Sequence, residues 1–140
     1  MPQFENPSDQ NIKALLETTK TIALVGASPK AERPSNRVMK FLLDRGYHVI
    51  PVNPGQAGGQ IHGQTVVATL ADIAEPVDMV DIFRNSEDAP GVIDEAIAIG
   101  AKAVWMQLGV LAPDAAIKAQ KHGMTAVMDR CPAIEIPRLF

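Results

Sequence analysis

The run V-G-A-S-P-K-A-E-R-P-S-N, Val25–Asn36, gathers residue types that serve phosphate chemistry. Gly26 lets the backbone turn sharply and come close to a ligand. Ser28 offers a hydroxyl, and Lys30 and Arg33 add cationic side chains to the same segment. A helix opening near Ser35 and Asn36 would point free N–H groups and a partial positive charge at an anion. The plainer reading is an ordinary strand–helix loop with a turn glycine. Its place after the first strand of an alternating chain favours phosphate. Ordinary NAD fits less well. The G-x-G-x-x-G fingerprint would need glycines at 28 and 31, where Ser28 and Ala31 stand. The next strand ends V-I-P-V-N-P, so Val52 is followed by Asn53, where NAD-binding folds carry an acid for the ribose hydroxyl. A neutral Asn53 does not repel a ribose bearing a phosphate. The residues are thus compatible with an adenine nucleotide carrying an extra ribose phosphate.

Chemistry-bearing residues recur at later strand ends. D-I-F-R closes on Phe83 and Arg84. Arg84 is a candidate phosphate or ribose ligand and Phe83 a candidate adenine platform; the alternatives are a solvated arginine and a core phenylalanine. In W-M-Q-L-G, Gln107 and Gly109 follow a buried stretch and are candidates to read a ligand through amide or backbone, whereas Trp105 reads as core. D-R-C-P holds Cys131, the sole cysteine, which excludes an intramolecular disulfide and a C-x-x-C metal pair. No histidine lies beside it in sequence to act as base, so it reads as a small buried residue. His62 reads as a surface histidine without a role.

These positions need elements to carry them. Ser8 caps a helix through Ile12, Leu15 and Leu16. Buried strands are expected over Thr21–Val25, His48–Val52, Val77–Phe83, Ala103–Met106 and Thr125–Met128. Ser35 is expected to cap a helix with a Val38, Met39, Leu42 and Leu43 stripe, closed by Gly46. Asn53–Gly55 reads as a turn and 56–63 as an exposed loop, while 66–73 reads as a short strand followed by a helical turn. Ser86 or Asp88 opens a helix with Pro90 in its first turn, running to Gly100. A further helix spans Asp114–Lys121, and 132–140 reads as a tail or helical turn. Such alternation implies an α/β, three-layer, Rossmann-like doubly wound parallel sheet of about five strands with helices on both faces, in one domain over 1–140. In that fold ligands bind beyond the carboxyl ends of the strands.

Composition narrows the class of function. A net charge of −3 across 140 residues argues against non-specific nucleic-acid binding, which relies on many phosphate-neutralising cations. An aromatic fraction of 4% argues against a base-stacking platform. No stretch approaches the ~20 apolar residues that span a bilayer, and no apolar signal region opens the chain, so the cytoplasm is the expected location, without a membrane partner.

V-G-A-S-P, V-I-P-V-N-P-G, D-I-F-R, W-M-Q-L-G and R-C-P, in this order and spacing, resemble the small bacterial and archaeal CoA-binding domain proteins. These are similar to the nucleotide-binding domain of the succinyl-CoA synthetase α subunit, existing alone. The resemblance runs from about Ser8 to the end of the chain. It implies coenzyme A or an acyl-CoA as ligand, with Gly26, Ala27, Ser28 and Pro29 as the phosphate-facing loop. Asn53 and Pro54 would line the adenosine side, with Gln56 in the loop beyond, and Val52 before them is a further candidate. Arg84 and the backbone around Gln107 and Gly109 would complete the cleft, and Lys30, Arg33, Ser35, Asn36 and Phe83 complete the candidate set. The synthetases carry a lysine at the place of Gln56, a cationic contact that Lys30, Arg33 and Arg84 would have to replace. They also use a phosphorylated histidine in a second domain, which this chain lacks, so ligase activity is not implied. No hydride acceptor, acid–base pair or substrate pocket is traceable, so a non-catalytic binding module is expected. The alternatives are an NAD(P)-binding or acyl-CoA-processing enzyme with an unrecognised active site, or a regulatory subunit. Oxidation is further expected to join Cys131 to CoA as a mixed disulfide.

Overall fold

A computed structural model describes residues 3–140. After α1 (Asp9–Thr18) come β1 (Thr21–Val25), α2 (Pro34–Asp44) and β2 (His48–Val52). A small hairpin, β3 (Gln60–Ile61) and β4 (Gln64–Thr65), follows, flanked by 3-10 turns at Pro54–Gln56 and Leu70–Asp72. The chain ends β5 (Met79–Ile82), α3 (Ala89–Ala98), β6 (Ala103–Met106), α4 (Pro113–Lys121), β7 (Thr125–Val127) and α5 (Pro132–Leu139). Five strands form a sheet in the order β2-β1-β5-β6-β7, and every neighbouring pair is parallel.

The sheet has a core on each face because its strands are apolar at successive positions, which alternation sends to opposite sides. Ile22, Leu24, Met79, Ala103 and Trp105 pack in one layer with Ile12 and Leu16 of α1, Met39 and Leu42 of α2 and Ile136 of α5. Ala23, Val25, Val80, Ile82, Val104 and Met106 pack in the other, with Ile93 of α3 and Ala116 of α4. From β1 the chain moves outward to β2, then returns to β5 on the other side of β1. The order therefore reverses between β1 and β5, and the crevice beyond their carboxyl ends is where such folds bind ligands.

Asp81 interrupts the apolar pattern. It stands in register between Leu24 and Trp105, is 0% exposed, and neither carboxylate oxygen has a hydrogen-bond partner among the described residues. Burial pushes its carboxyl well above the usual range, since an unpaired charge there loses its hydration.

Four local expectations change. Arg33 rather than Ser35 is the N-cap of α2, and its side chain makes no capping bond. Pro34 takes the first helical position, where its fixed φ fits and its missing N–H costs nothing, so Ser35 lies inside the first turn. The 56–63 loop contains the β3–β4 hairpin, anchored by Ile61, which is 3% exposed. β5 is shorter at both ends than Val77–Phe83. The carboxyl terminus is a full helix, because buried Ile136 packs into the α1–α2 layer and Arg138 pairs with Asp9 of α1.

Candidate functional site

The site begins where β1 and β5 end. The Phe83 N–H donates to the Val25 carbonyl at 2.8 Å, and the Gly26 N–H donates to the Val52 carbonyl at 3.0 Å. Gly26 has φ +90°, and a Cβ there would sit 2.1 Å from the Phe83 carbonyl oxygen. Only glycine fits both demands. The close approach expected toward a ligand is made here to the Phe83 main chain.

Side chains brace the loop that leaves Gly26. Asn53 Nδ2 donates to the Ala27 carbonyl at 2.7 Å, and its Oδ1 accepts from the Gly55 N–H at 2.8 Å. One side chain thus ties the β1 and β2 ends together. Asn36 Nδ2 donates to the Ser28 carbonyl at 2.9 Å, and Ser28 Oγ accepts from the Lys30 N–H at 3.2 Å. His62, at the tip of the hairpin, places Nε2 2.9 Å from Asn36 Oδ1 and 3.1 Å from the Asn36 carbonyl. Both are acceptors, so Nε2 carries the hydrogen. His62 therefore has a partner and indirectly steadies the loop.

Two clefts open from this point. The first, about 690 Å³, is lined by Gly26, Ala27, Ser28, Lys30, Arg33, Pro34, Ser35, Val38, Asn53, Phe83, Arg84, Asn85, Gln107, Leu108, Val110 and Cys131. Three of these are cationic and none is a carboxylate, while the uncapped first turn of α2 adds its positive end. The second, about 700 Å³, runs between the β2 end and α3, and shares Gly26, Asn53, Phe83 and Arg84 with the first. Its wall includes Val52, Pro54, Gly55 and Thr69, and it carries the acids Asp88 and Glu95. Arg84 lies on the ridge between them, with its guanidinium 3.0 Å from Asp88.

Gln107 also lines the first cleft. It is 6% exposed, and its Oε1 has no donor among the described residues. Cys131, 7% exposed, lines the same cleft as the N-cap of α5. The loops around these residues are tied down. Ser86 Oγ donates to the Gly109 carbonyl at 3.2 Å and accepts the Leu111 N–H at 2.8 Å. The Gly109 N–H donates to Asp129 at 2.8 Å. Trp105, fully buried, donates from its indole to the Arg130 carbonyl at 2.8 Å.

Twelve of the sixteen candidates read from sequence fall on the two cleft walls. Pro29, Asn36, Gln56 and Gly109 do not. Asn36 turns inward to Ser28 and His62, Gln56 ends an exposed 3-10 turn, and Gly109 is engaged by Ser86 and Asp129. Sequence reasoning missed Pro34, Val38, Asn85, Leu108 and Val110 in the first cleft, and Thr69, Asp88 and Glu95 in the second. Asp88, Gly91 and Glu95 follow helical spacing, a signal that one polar face of α3 looks toward the cleft. Cys131, singled out in R-C-P as a thiol but left outside the binding set, also lines the first cleft.

Comparison with known proteins places the chain in a family and a fold. A family model described as "CoA binding domain" matches residues 20–137. The uncharacterized protein YneT of Bacillus subtilis (strain 168) is 39% identical over 128 residues, covering 91% of this chain and 93% of that protein. A solved hypothetical protein from Pyrococcus horikoshii OT3 is 37% identical, with a TM-score of 0.89 and 99% of both chains covered. The fold alone recurs in a Korarchaeum cryptofilum dinucleotide-forming acetyl-coenzyme A synthetase, at 23% identity and a TM-score of 0.66, over 76% of this chain and 25% of that one. With a model match across most of its length and a relative of this similarity, the chain belongs to the CoA-binding domain family.

Proposed function

We propose that the chain binds coenzyme A or an acyl-CoA through its 3′-phospho-ADP moiety in the first cleft, and that it acts as a binding module without catalysis of its own. The observation that carries this reading is the charge of that wall. Lys30, Arg33 and Arg84 meet the positive end of α2 with no carboxylate among the lining residues. A ligand with several phosphates gains from such a wall, and a third phosphate adds to the gain. Asn53 at the β2 end removes the repulsion that an acid would exert on a ribose phosphate. The residues also fit the rest of the ligand. The orphaned Gln107 Oε1 is an acceptor for the amide N–H groups that the pantetheine arm carries. The non-catalytic reading rests on the same wall, where no histidine or carboxylate stands to move a proton.

Isothermal titration with CoA, dephospho-CoA, NAD and NADP tests the ligand. CoA is expected to bind more tightly than dephospho-CoA, and the difference is expected to shrink in Lys30→Gln/Arg33→Gln. Clear binding of NAD or NADP, with none of CoA at millimolar concentration, would overturn the reading.

A further inference from the structure

Cys131 and Gln107 both line the first cleft although they follow different strands, β7 and β6. Gln107 is more than nine-tenths buried, and its Oε1 lacks any donor among the described residues. A buried acceptor left unpaired costs about 1–3 kcal/mol, so this end of the cleft is built for a ligand group that donates a hydrogen bond. Cys131, in the lining of the same cleft, is the N-cap of α5, and its side chain makes no capping bond. It is the only cysteine of the chain, so no second thiol competes for it.

We propose that the Gln107–Cys131 end of the cleft is a site of reversible S-thiolation, at which Cys131 forms a mixed disulfide with the thiol end of the ligand. The proposal rests on the CoA reading above and adds a covalent chemistry to it. The reacting partner is the symmetrical disulfide of CoA. Cys131 gives its proton to water, and its Sγ attacks one ligand sulfur. The Sγ–S bond forms as the ligand S–S bond breaks, and the other CoA leaves as a thiolate that takes up a proton. Cys131 is oxidised and the departing CoA is reduced, so no further oxidant enters. The negative charge shared by the three sulfurs during exchange falls at the positive end of α5. Gln107 holds the arm by one of its amides, which brings the disulfide to Cys131.

The test uses the whole chain, reduced and then freed of reductant. It is mixed with one equivalent of CoA disulfide or of 2-hydroxyethyl disulfide, quenched with acid at intervals, and weighed intact. The expected result is one CoA per chain, removed by dithiothreitol and absent in Cys131→Ser. It should form roughly tenfold or more faster than the small-disulfide adduct, because binding raises the local concentration of the reacting sulfur. Gln107→Met is expected to slow the CoA adduct and leave the small-disulfide rate unchanged. Equal rates for the two disulfides, or no CoA adduct, would overturn the proposal, and an equal fall of both rates in Gln107→Met would overturn the part given to Gln107. Titration of the reduced wild-type chain with CoA separates the two failures. Binding without an adduct removes the covalent step alone, whereas no binding and no adduct removes the CoA reading as well.

Discussion

Replacing Gly26 by alanine isolates the close approach that forms the site. The new Cβ would stand 2.1 Å from the Phe83 carbonyl oxygen and 2.9 Å from its carbon. Real Cβ atoms keep at least 3.0 Å from such neighbours, so the ends of β1 and β5 must part by roughly an ångström. The left-handed backbone, φ +90°, costs an L-residue ~1–2 kcal/mol. Overpacking against main chain adds ~1–3 kcal/mol, and weakening the 2.8 Å bond from Phe83 to Val25 adds about 1 kcal/mol or more. The total is ~3–6 kcal/mol, a large share of the stability of a small domain. Gly58→Ala is the control, with φ +88° and nothing within 4 Å of its Cβ, so it carries the backbone strain alone. Urea unfolding of both variants, with midpoints and slopes compared to wild type, measures the difference. Gly26→Ala is expected to lose at least about 2 kcal/mol more than Gly58→Ala. If Gly26→Ala fails to fold while Gly58→Ala folds, that is the same result at its upper limit. Losses within ~0.5 kcal/mol of each other would refute the claim that Phe83, rather than backbone strain, makes this glycine necessary.

Three further perturbations follow from the same contacts. Asp81 is raised by burial, so its folded-state pKa exceeds the unfolded value of ~3.9. The protein is then free of its ionisation cost below that pH and loses stability as pH rises, by up to about 1.4 kcal/mol per unit until the folded carboxyl titrates. Asp81→Asn should remove this slope, and a wild-type-to-variant difference that stays constant from about pH 5 to pH 8 would contradict it. Asn53→Ala strips the donor from the buried Ala27 carbonyl, and should lower stability by ~1–3 kcal/mol with an unchanged urea slope. His62→Ala removes the bonds to Asn36. It should cost ~0.5–1.5 kcal/mol and speed amide hydrogen exchange between residues 28 and 37, and unchanged exchange there would mean that the hairpin does not steady the loop.

The β1, β2 and β6 segments were legible because their hydrophobic runs are short, continuous and bounded by glycine, proline or polar residues. The same logic located the candidate site, since a parallel sheet exposes its strand ends and Gly26, Asn53, Arg84 and Gln107 each follow one. Helix α5 was less legible. With prolines at both 132 and 137, its local signal is weak, and packing of Ile136 against the α1–α2 layer supplies what propensity does not. The hairpin was hidden for a similar reason, being held by buried Ile61 and Val66 rather than by a long alternating pattern.

By itself, the sequence determined the order of the elements, the parallel sheet and the strand ends at which a ligand would be met. These are local matters of periodicity and turn chemistry, and the motifs carried the likeness to the CoA-binding domain family. Only the tertiary structure decided which strands are neighbours, and so which strand ends share a cleft. It gave Gly26 a partner in Phe83, 57 residues away (83 − 26), and turned Asn36 inward to brace the loop. It also brought Cys131 into the lining of the cleft that Gln107 lines. Contacts of this kind depend on the order in which strands pair, and a chain read one residue at a time carries no record of which distant backbone will fill the space beside a glycine.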